Sequence, residues 1–158
     1  MTPTSRTRLE IFIDGSSRGN PGRAGCGVVI RDQEGVILLE EGFHLGKMTN
    51  NAAEYNGLVI ALEEALLLKA DSVTVHSDSE LLVRQMNGQY RVKHPQLRIL
   101  YQRAVRLSQG FASFRIEHVP RERNEAADRL ARGASNDPTR RRALPPATSS
   151  TSPGQTLF

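Results

Sequence analysis

The chain has 158 residues, 38% hydrophobic and 24% charged, too apolar for wholesale disorder, and no run approaches the roughly 18 to 20 apolar residues a bilayer-spanning helix needs, so a soluble protein is expected. Lysine and arginine total 21 against 17 acids, giving a net charge of +4 and a pI near 9.7, a modest surplus that suits a polyanionic partner. The single cysteine, Cys26, excludes an intramolecular disulfide and the N-terminal MTPTSRTRLE has no apolar stretch of a secretory kind, so the reducing cytoplasm is the expected compartment.

In chain order, residues 8–14, RLEIFID, are a short apolar run ending in an acid and read as a strand. The segments 25–32 and 35–43 flank the tight connection Gln33-Glu34 and read as a hairpin. From Ala52 the period changes: Tyr55, Leu58, Val59, Leu62, Ala65 and Leu66 recur at the spacing of an amphipathic helix. SVTVHS at 72–77 alternates as a fourth strand, and 79–88 is a short helix closed by Asn87-Gly88. Pro95 sits in the first turn of a helix running to Ser108, residues 112–119 are a fifth strand, and a last helix covers 122–134. The order predicts an α/β domain: a mixed five-stranded sheet, antiparallel strands first and helix-connected strands after, with helices on its faces. Residues 1–7 are then an N-terminal extension, 8–135 the folded domain, and 136–158 a Pro/Ser/Thr-rich tail that begins with Arg140-Arg141-Arg142 and buries too little apolar surface to fold.

Four acids stand out. Asp14 and Asp78 each follow an apolar strand, and ligands of open α/β sheets gather beyond such strand ends. Each also has a plainer role open to it: Asp14 as a turn residue before Gly15, and Asp78 as part of a capping box in Ser77-Asp78-Ser79-Glu80. Glu54 lies in the first turn of the amphipathic helix, where Asn51-Ala52-Ala53-Glu54 again has capping-box spacing. Asp128 lies one turn beyond Asn124 among Ala127, Ala131 and Ala134, small residues that let a helix approach a sheet closely. Clustered carboxylates raise one another's pKa and need a cation; with no Cys/His ligand set for zinc, a hard divalent ion such as Mg²⁺ is the fitting occupant. Residues 84–106 carry Arg84, Arg91, Lys93, Arg98, Arg103 and Arg106 and no acid, either a polyanion contact or a solvated helix face.

Four blocks, IFIDGSSRGNPGRAGCGVVI at 11–30, MTNNAAEYNGLVIALEEAL at 48–66, VHSDSELLVRQMNG at 75–88 and VPRERNEAADRLAR at 119–132, stand in the order found in type 1 ribonuclease H, which the chain resembles over most of 8–135. The resemblance implies the ribonuclease H-like fold and cleavage of the RNA strand of an RNA–DNA hybrid, leaving 5′-phosphate and 3′-hydroxyl ends. It implies Asp14, Glu54, Asp78 and Asp128 as ligands of two Mg²⁺ ions, with Mn²⁺ as a substitute. It further implies minor-groove contacts from Asn20, Asn50, Asn51 and the backbone near Ser17, a DNA-phosphate grip from Lys47 and Thr49, and a monomer. Thr49-Asn50-Asn51 also reads as a turn and helix cap.

The chain departs from the family where many bacterial members carry a Trp-rich basic protrusion: it has no Trp and only the short YRVKHPQLR link at 90–98, which leaves Arg91 and Lys93 to hold phosphate. The family's catalytic histidine loop is also short here, with four residues between Val119 and Asn124, so His118 is expected in the strand, and Arg121 and Asn124 are the other auxiliary candidates. A catalytically silent hybrid-binding module is the alternative, opposed by the presence of all four acids. A phosphatase with Asp14 as nucleophile would need a second acid where Ser16 stands. The last residues, Gln155-Thr156-Leu157-Phe158, resemble short peptides that bind sliding clamps.

Overall fold

The computed structural model describes residues 6–142. Five strands, β1 (Arg8–Gly19), β2 (Gly22–Asp32), β3 (Ile37–Met48), β4 (Ser72–Ser77) and β5 (Ser113–His118), form one sheet in the order β3-β2-β1-β4-β5. β1 and β2 pair antiparallel, as do β2 and β3, while β4 runs parallel to both β1 and β5, which is the mixed sheet expected.

The helices are α1 (Asn50–Leu67), α2 (Glu80–Met86), α3 (Pro95–Ser108) and α4 (Glu125–Ser135). The apolar stripe of α1 packs on the inward residues of the sheet: Leu58 and Leu62 meet Ile11, Ile13 and Val75, all fully buried, each worth about 1.5 to 3 kcal/mol of transfer free energy. α3 closes this core through Ala104, with Tyr101 set edge-on to Tyr55 of α1. Pro95 stands in the first turn of α3, where its missing N–H costs nothing.

Several boundaries differ from the sequence expectation, each for a physical reason. β1 runs past Asp14 to Gly19 because the polar stretch 15–19 pairs with 22–26 as the outer half of the β1–β2 hairpin, and backbone pairing needs no apolar alternation. β3 starts at Ile37 because the Asp32 carboxylate accepts from the Glu34 N–H at 2.8 Å and the Val36 N–H at 2.9 Å, holding 33–36 as a turn. The last helix begins at Glu125, after a separate 3-10 turn over Arg121–Arg123. Beyond α4, Pro138–Arg140 make another 3-10 turn, and Arg142 forks back onto Glu63 and Glu64 of α1 at 2.6 and 2.7 Å. Among the described residues no helix is long and apolar enough to cross a membrane. The clamp-like ending at 155–158 lies outside the described residues.

Candidate active site

Three elements deliver three acids to one point. Asp14 is on β1, Ser77 ends the neighbouring parallel strand β4 just before Asp78, and Glu54 sits in the first turn of α1; one carboxylate oxygen from each lies within 4.8 Å of the others. The approach of α1 depends on Gly15: a Cβ there would stand 2.5 Å from the Glu54 backbone nitrogen, so only glycine lets the helix start close onto β1.

Neither Asp78 nor Glu54 is a cap, contrary to the capping-box alternatives. Thr49 caps α1 by accepting from the Ala52 N–H at 3.2 Å, and Ser79 caps α2 by accepting from the Leu82 N–H at 3.2 Å. Those hydroxyls satisfy the helix ends and leave both carboxylates for other chemistry.

α4 supplies the fourth acid from the opposite face. It lies directly on the sheet, because a Cβ at Gly27 would fall 2.1 Å from the Ala127 carbonyl oxygen and one at Gly25 2.5 Å from the Ser135 nitrogen. Asp128 is thereby brought beside Asp14, where it adds a hydrogen bond and a like charge, while Arg132 pairs with it at 2.9 Å one turn later. Asn124, buried just ahead of α4, donates from Nδ2 to the Ile13 carbonyl at 2.8 Å and to Asp78 Oδ2 at 3.3 Å. It therefore ties α4 to both β1 and the second strand-end acid.

The cluster is electrostatically unbalanced as it stands. Burial, then the charges of Glu54 and Asp78, push the Asp14 carboxyl up to about 10. Burial pushes Glu54 up to about 8 against a hydrogen bond from the Gly15 backbone. Glu54 Oε2 is buried with no hydrogen-bond partner among the described residues. An all-oxygen donor set with an orphaned buried oxygen fits a hard divalent cation, which would satisfy that atom and let the acids ionise together.

The remaining candidates separate into three places. Ser17, Asn20 and Asn50 form one knot beside the Thr49 cap: the Ser17 N–H donates to Asn50 Oδ1 at 2.8 Å, the Asn50 N–H to Asn20 Oδ1 at 3.1 Å, and the Ser17 hydroxyl reaches the Gly19 carbonyl and, at 2.8 Å, that of Met48. Lys47 and Asn51 flank it, exposed and without side-chain hydrogen bonds among the described residues. Arg91 and Lys93 are exposed on the link between α2 and α3, apart from the acid cluster in sequence and element. His118 is the last residue of β5, in register with Ser77 and exposed, so it is strand structure at the rim of the site; Arg121 is exposed in the 3-10 turn.

A family model for reverse transcriptase-like proteins matches residues 12–134. The chain is 42% identical to a ribonuclease HI of Halobacterium salinarum over 135 residues, covering 85% of this chain and 68% of that protein. It belongs to the ribonuclease HI family. It is also 45% identical to the bifunctional protein Rv2228c of Mycobacterium tuberculosis over 128 residues, which are 80% of this chain and 35% of that protein, so it spans about a third of that mycobacterial relative. Among solved structures, LC11-RNase H1 in complex with an RNA/DNA hybrid superposes with a TM-score of 0.76 at 41% identity, covering 81% of this chain and 96% of that one. The acids are legible from the sequence blocks in which they stand. The close approaches at Gly15 and Gly27 are not, and the signal that points to them is a glycine on a strand face where packing would otherwise favour a larger side chain.

Proposed function

We propose that the protein is an endonuclease that hydrolyses the RNA strand of RNA–DNA hybrids, leaving 5′-phosphate and 3′-hydroxyl ends. The observation that carries this reading is the convergence of Asp14, Glu54 and Asp78, with Asp128 beside Asp14, in a member of the ribonuclease HI family. The relative solved on an RNA/DNA hybrid supports the substrate class.

In this reading Asp14, Glu54, Asp78 and Asp128 would hold a pair of Mg²⁺ ions, with Mn²⁺ able to substitute. When bound, such ions polarise the scissile phosphate and lower the pKa of an attacking water. The protein's own part is to hold four oxygen donors against their mutual repulsion. Asn124 donates to Asp78 Oδ2, which orients that carboxylate, and Arg132 pairs with Asp128 one turn along α4. Asn20, Asn50 and Asn51 present amide groups, and the chain near Ser17 its backbone, to the minor groove, where the 2′-hydroxyl marks the RNA strand. Lys47 and Thr49 grip a phosphate of the DNA strand, and Arg91 and Lys93 add phosphate contacts from the link. His118 and Arg121 at the rim are auxiliary.

The test is Mg²⁺-dependent cutting of a labelled hybrid beside duplex DNA, duplex RNA and a small phosphate ester. Hybrid cleavage lost in Asp14→Asn, Glu54→Gln and Asp78→Asn, with the melting transition retained, supports the reading. Hybrid binding without turnover in the wild type would instead favour a silent binding module, and ester hydrolysis a phosphatase. Gel filtration should give a monomer. A sliding-clamp contact through Gln155-Thr156-Leu157-Phe158 is tested separately by titrating a peptide of residues 147–158 into the clamp.

A further inference from the structure

A buried polar chain links α1 to the basic link, and nothing in the acid cluster accounts for it. Tyr55 follows Glu54 on α1 and is 1% exposed; its hydroxyl donates at 2.7 Å to Gln85 Oε1 on α2. The Gln85 Nε2 donates in turn at 3.3 Å to the carbonyl of Arg91. Gln85 is 6% exposed, and an amide left unpaired there would cost about 1 to 3 kcal/mol. Its orientation is forced, because the Arg91 carbonyl can only accept and must therefore face the amide nitrogen.

This chain shapes the link. The Arg91 carbonyl is drawn inward by Gln85 and the Val92 side chain is buried, while Arg91 and Lys93 on either side of it are exposed. Upstream, the Gln89 and Tyr90 N–H groups both donate to the Arg84 carbonyl, at 2.8 and 3.3 Å, and the Arg84 guanidinium lies 5.2 Å over the Tyr90 ring. Those contacts fix the link to α2 alone. Beside the packing of α3 on α1, the Tyr55 hydroxyl carries a hydrogen-bonded restraint across to the helix that bears Glu54, and Tyr101 holds its ring edge-on at 6.5 Å.

We propose that Tyr55 and Gln85 are positioning residues for hybrid binding. They hold Arg91 and Lys93 at a fixed reach from the acids, so that the phosphates gripped by the link and the phosphodiester facing the cluster belong to one bound duplex. The inference rests on the hybrid-nuclease reading above and adds the device that sets the reach of the basic link.

The experiment measures kcat and KM on a hybrid at a series of salt concentrations for the wild type, Tyr55→Phe and Gln85→Leu, with melting curves for each. Tyr55→Phe keeps the ring against Tyr101 and removes one donor. Loss of one such bond is expected to raise KM about three- to tenfold, with a smaller change in kcat. The salt dependence of KM should flatten by up to two phosphate contacts, at roughly 0.9 of slope each. Adding Tyr55→Phe to Arg91→Ala with Lys93→Ala should then cost nothing further, because the hydroxyl acts through those two cations. A wild-type salt slope in folded Tyr55→Phe, or losses that add in full in the triple variant, would overturn the positioning role. A wild type that neither binds nor cuts the hybrid would instead sink the nuclease reading itself, so the two failures are distinguishable. If Gln85→Leu does not fold, Tyr55→Phe decides alone.

Discussion

Replacing Asp14 with asparagine should make the metal-free protein more stable while abolishing its activity. The folded-state pKa of Asp14 is raised from 3.8 to about 10, so at neutral pH the folded chain retains a proton that the unfolded chain releases. Its contribution therefore favours folding least as pH rises: stability present near pH 4 is lost progressively up to the folded value. At pH 7 the gap from 3.8 is roughly three units at about 1.4 kcal/mol each, a ceiling near 4 kcal/mol. The neighbouring acids share that strain, and Glu54, itself pushed up to about 8, keeps part of it after the substitution, so half the ceiling is expected. About 2 kcal/mol corresponds to roughly 4 to 8 °C in Tm for a domain of this size. The assay is thermal melting in chelator and in Mg²⁺ from pH 5 to 9, beside hybrid cleavage. In chelator the variant should melt higher than the wild type, by a margin that widens with pH, and Mg²⁺ should stabilise it less. Equal melting temperatures in chelator at pH 8, or the same Mg²⁺-dependent rise in both proteins, would refute the assignment of Asp14 to a strained metal site.

Three further expectations follow from distances in the structure. Gly27→Ala places a methyl 2.1 Å from the Ala127 carbonyl oxygen, so α4 must shift; a loss of about 1 to 3 kcal/mol on chemical denaturation and a higher Mg²⁺ requirement should appear together. Asn124→Ala removes the donor to Ile13 and Asp78 and should cost about 1 to 3 kcal/mol while raising the Mg²⁺ concentration for half-maximal cleavage; an unchanged Mg²⁺ titration would make Asn124 a packing residue only. Arg91→Ala with Lys93→Ala should weaken hybrid binding and flatten its salt dependence by up to about two contacts, read by binding isotherms at several ionic strengths, and an unchanged slope would return both to an ordinary solvated surface.

The elements with a clear apolar period were legible in the sequence, because burial writes that period directly: the stripe of α1 and the alternation of β4 both correspond to buried faces. The outer half of the first hairpin was not, since residues 15–19 carry polar side chains and are held by backbone pairing. The acids were visible one at a time at strand ends and helix starts, but caps explained two of them equally well. What separates the readings is that Thr49 and Ser79 already satisfy those helix ends, a fact of hydrogen bonding that spacing does not encode. Gln85 was hidden for the opposite reason: an amide in SELLVRQMNG looks like surface, and only the partners on α1 and the link explain why it is inside.

The direct seating of α4 on the glycine face of the sheet also orders events in time. Asp14, Glu54 and Asp78 all lie in the first half of the chain, yet the fourth acid and the amide that bridges Ile13 and Asp78 arrive on a segment 46 residues later than Asp78's own. Because backbone meets backbone there, no partial docking with a softened side-chain layer can deliver them early. A chain emerging from the ribosome can thus pair its first strands around an incomplete cluster, and the four acids stand together only when the last helix closes.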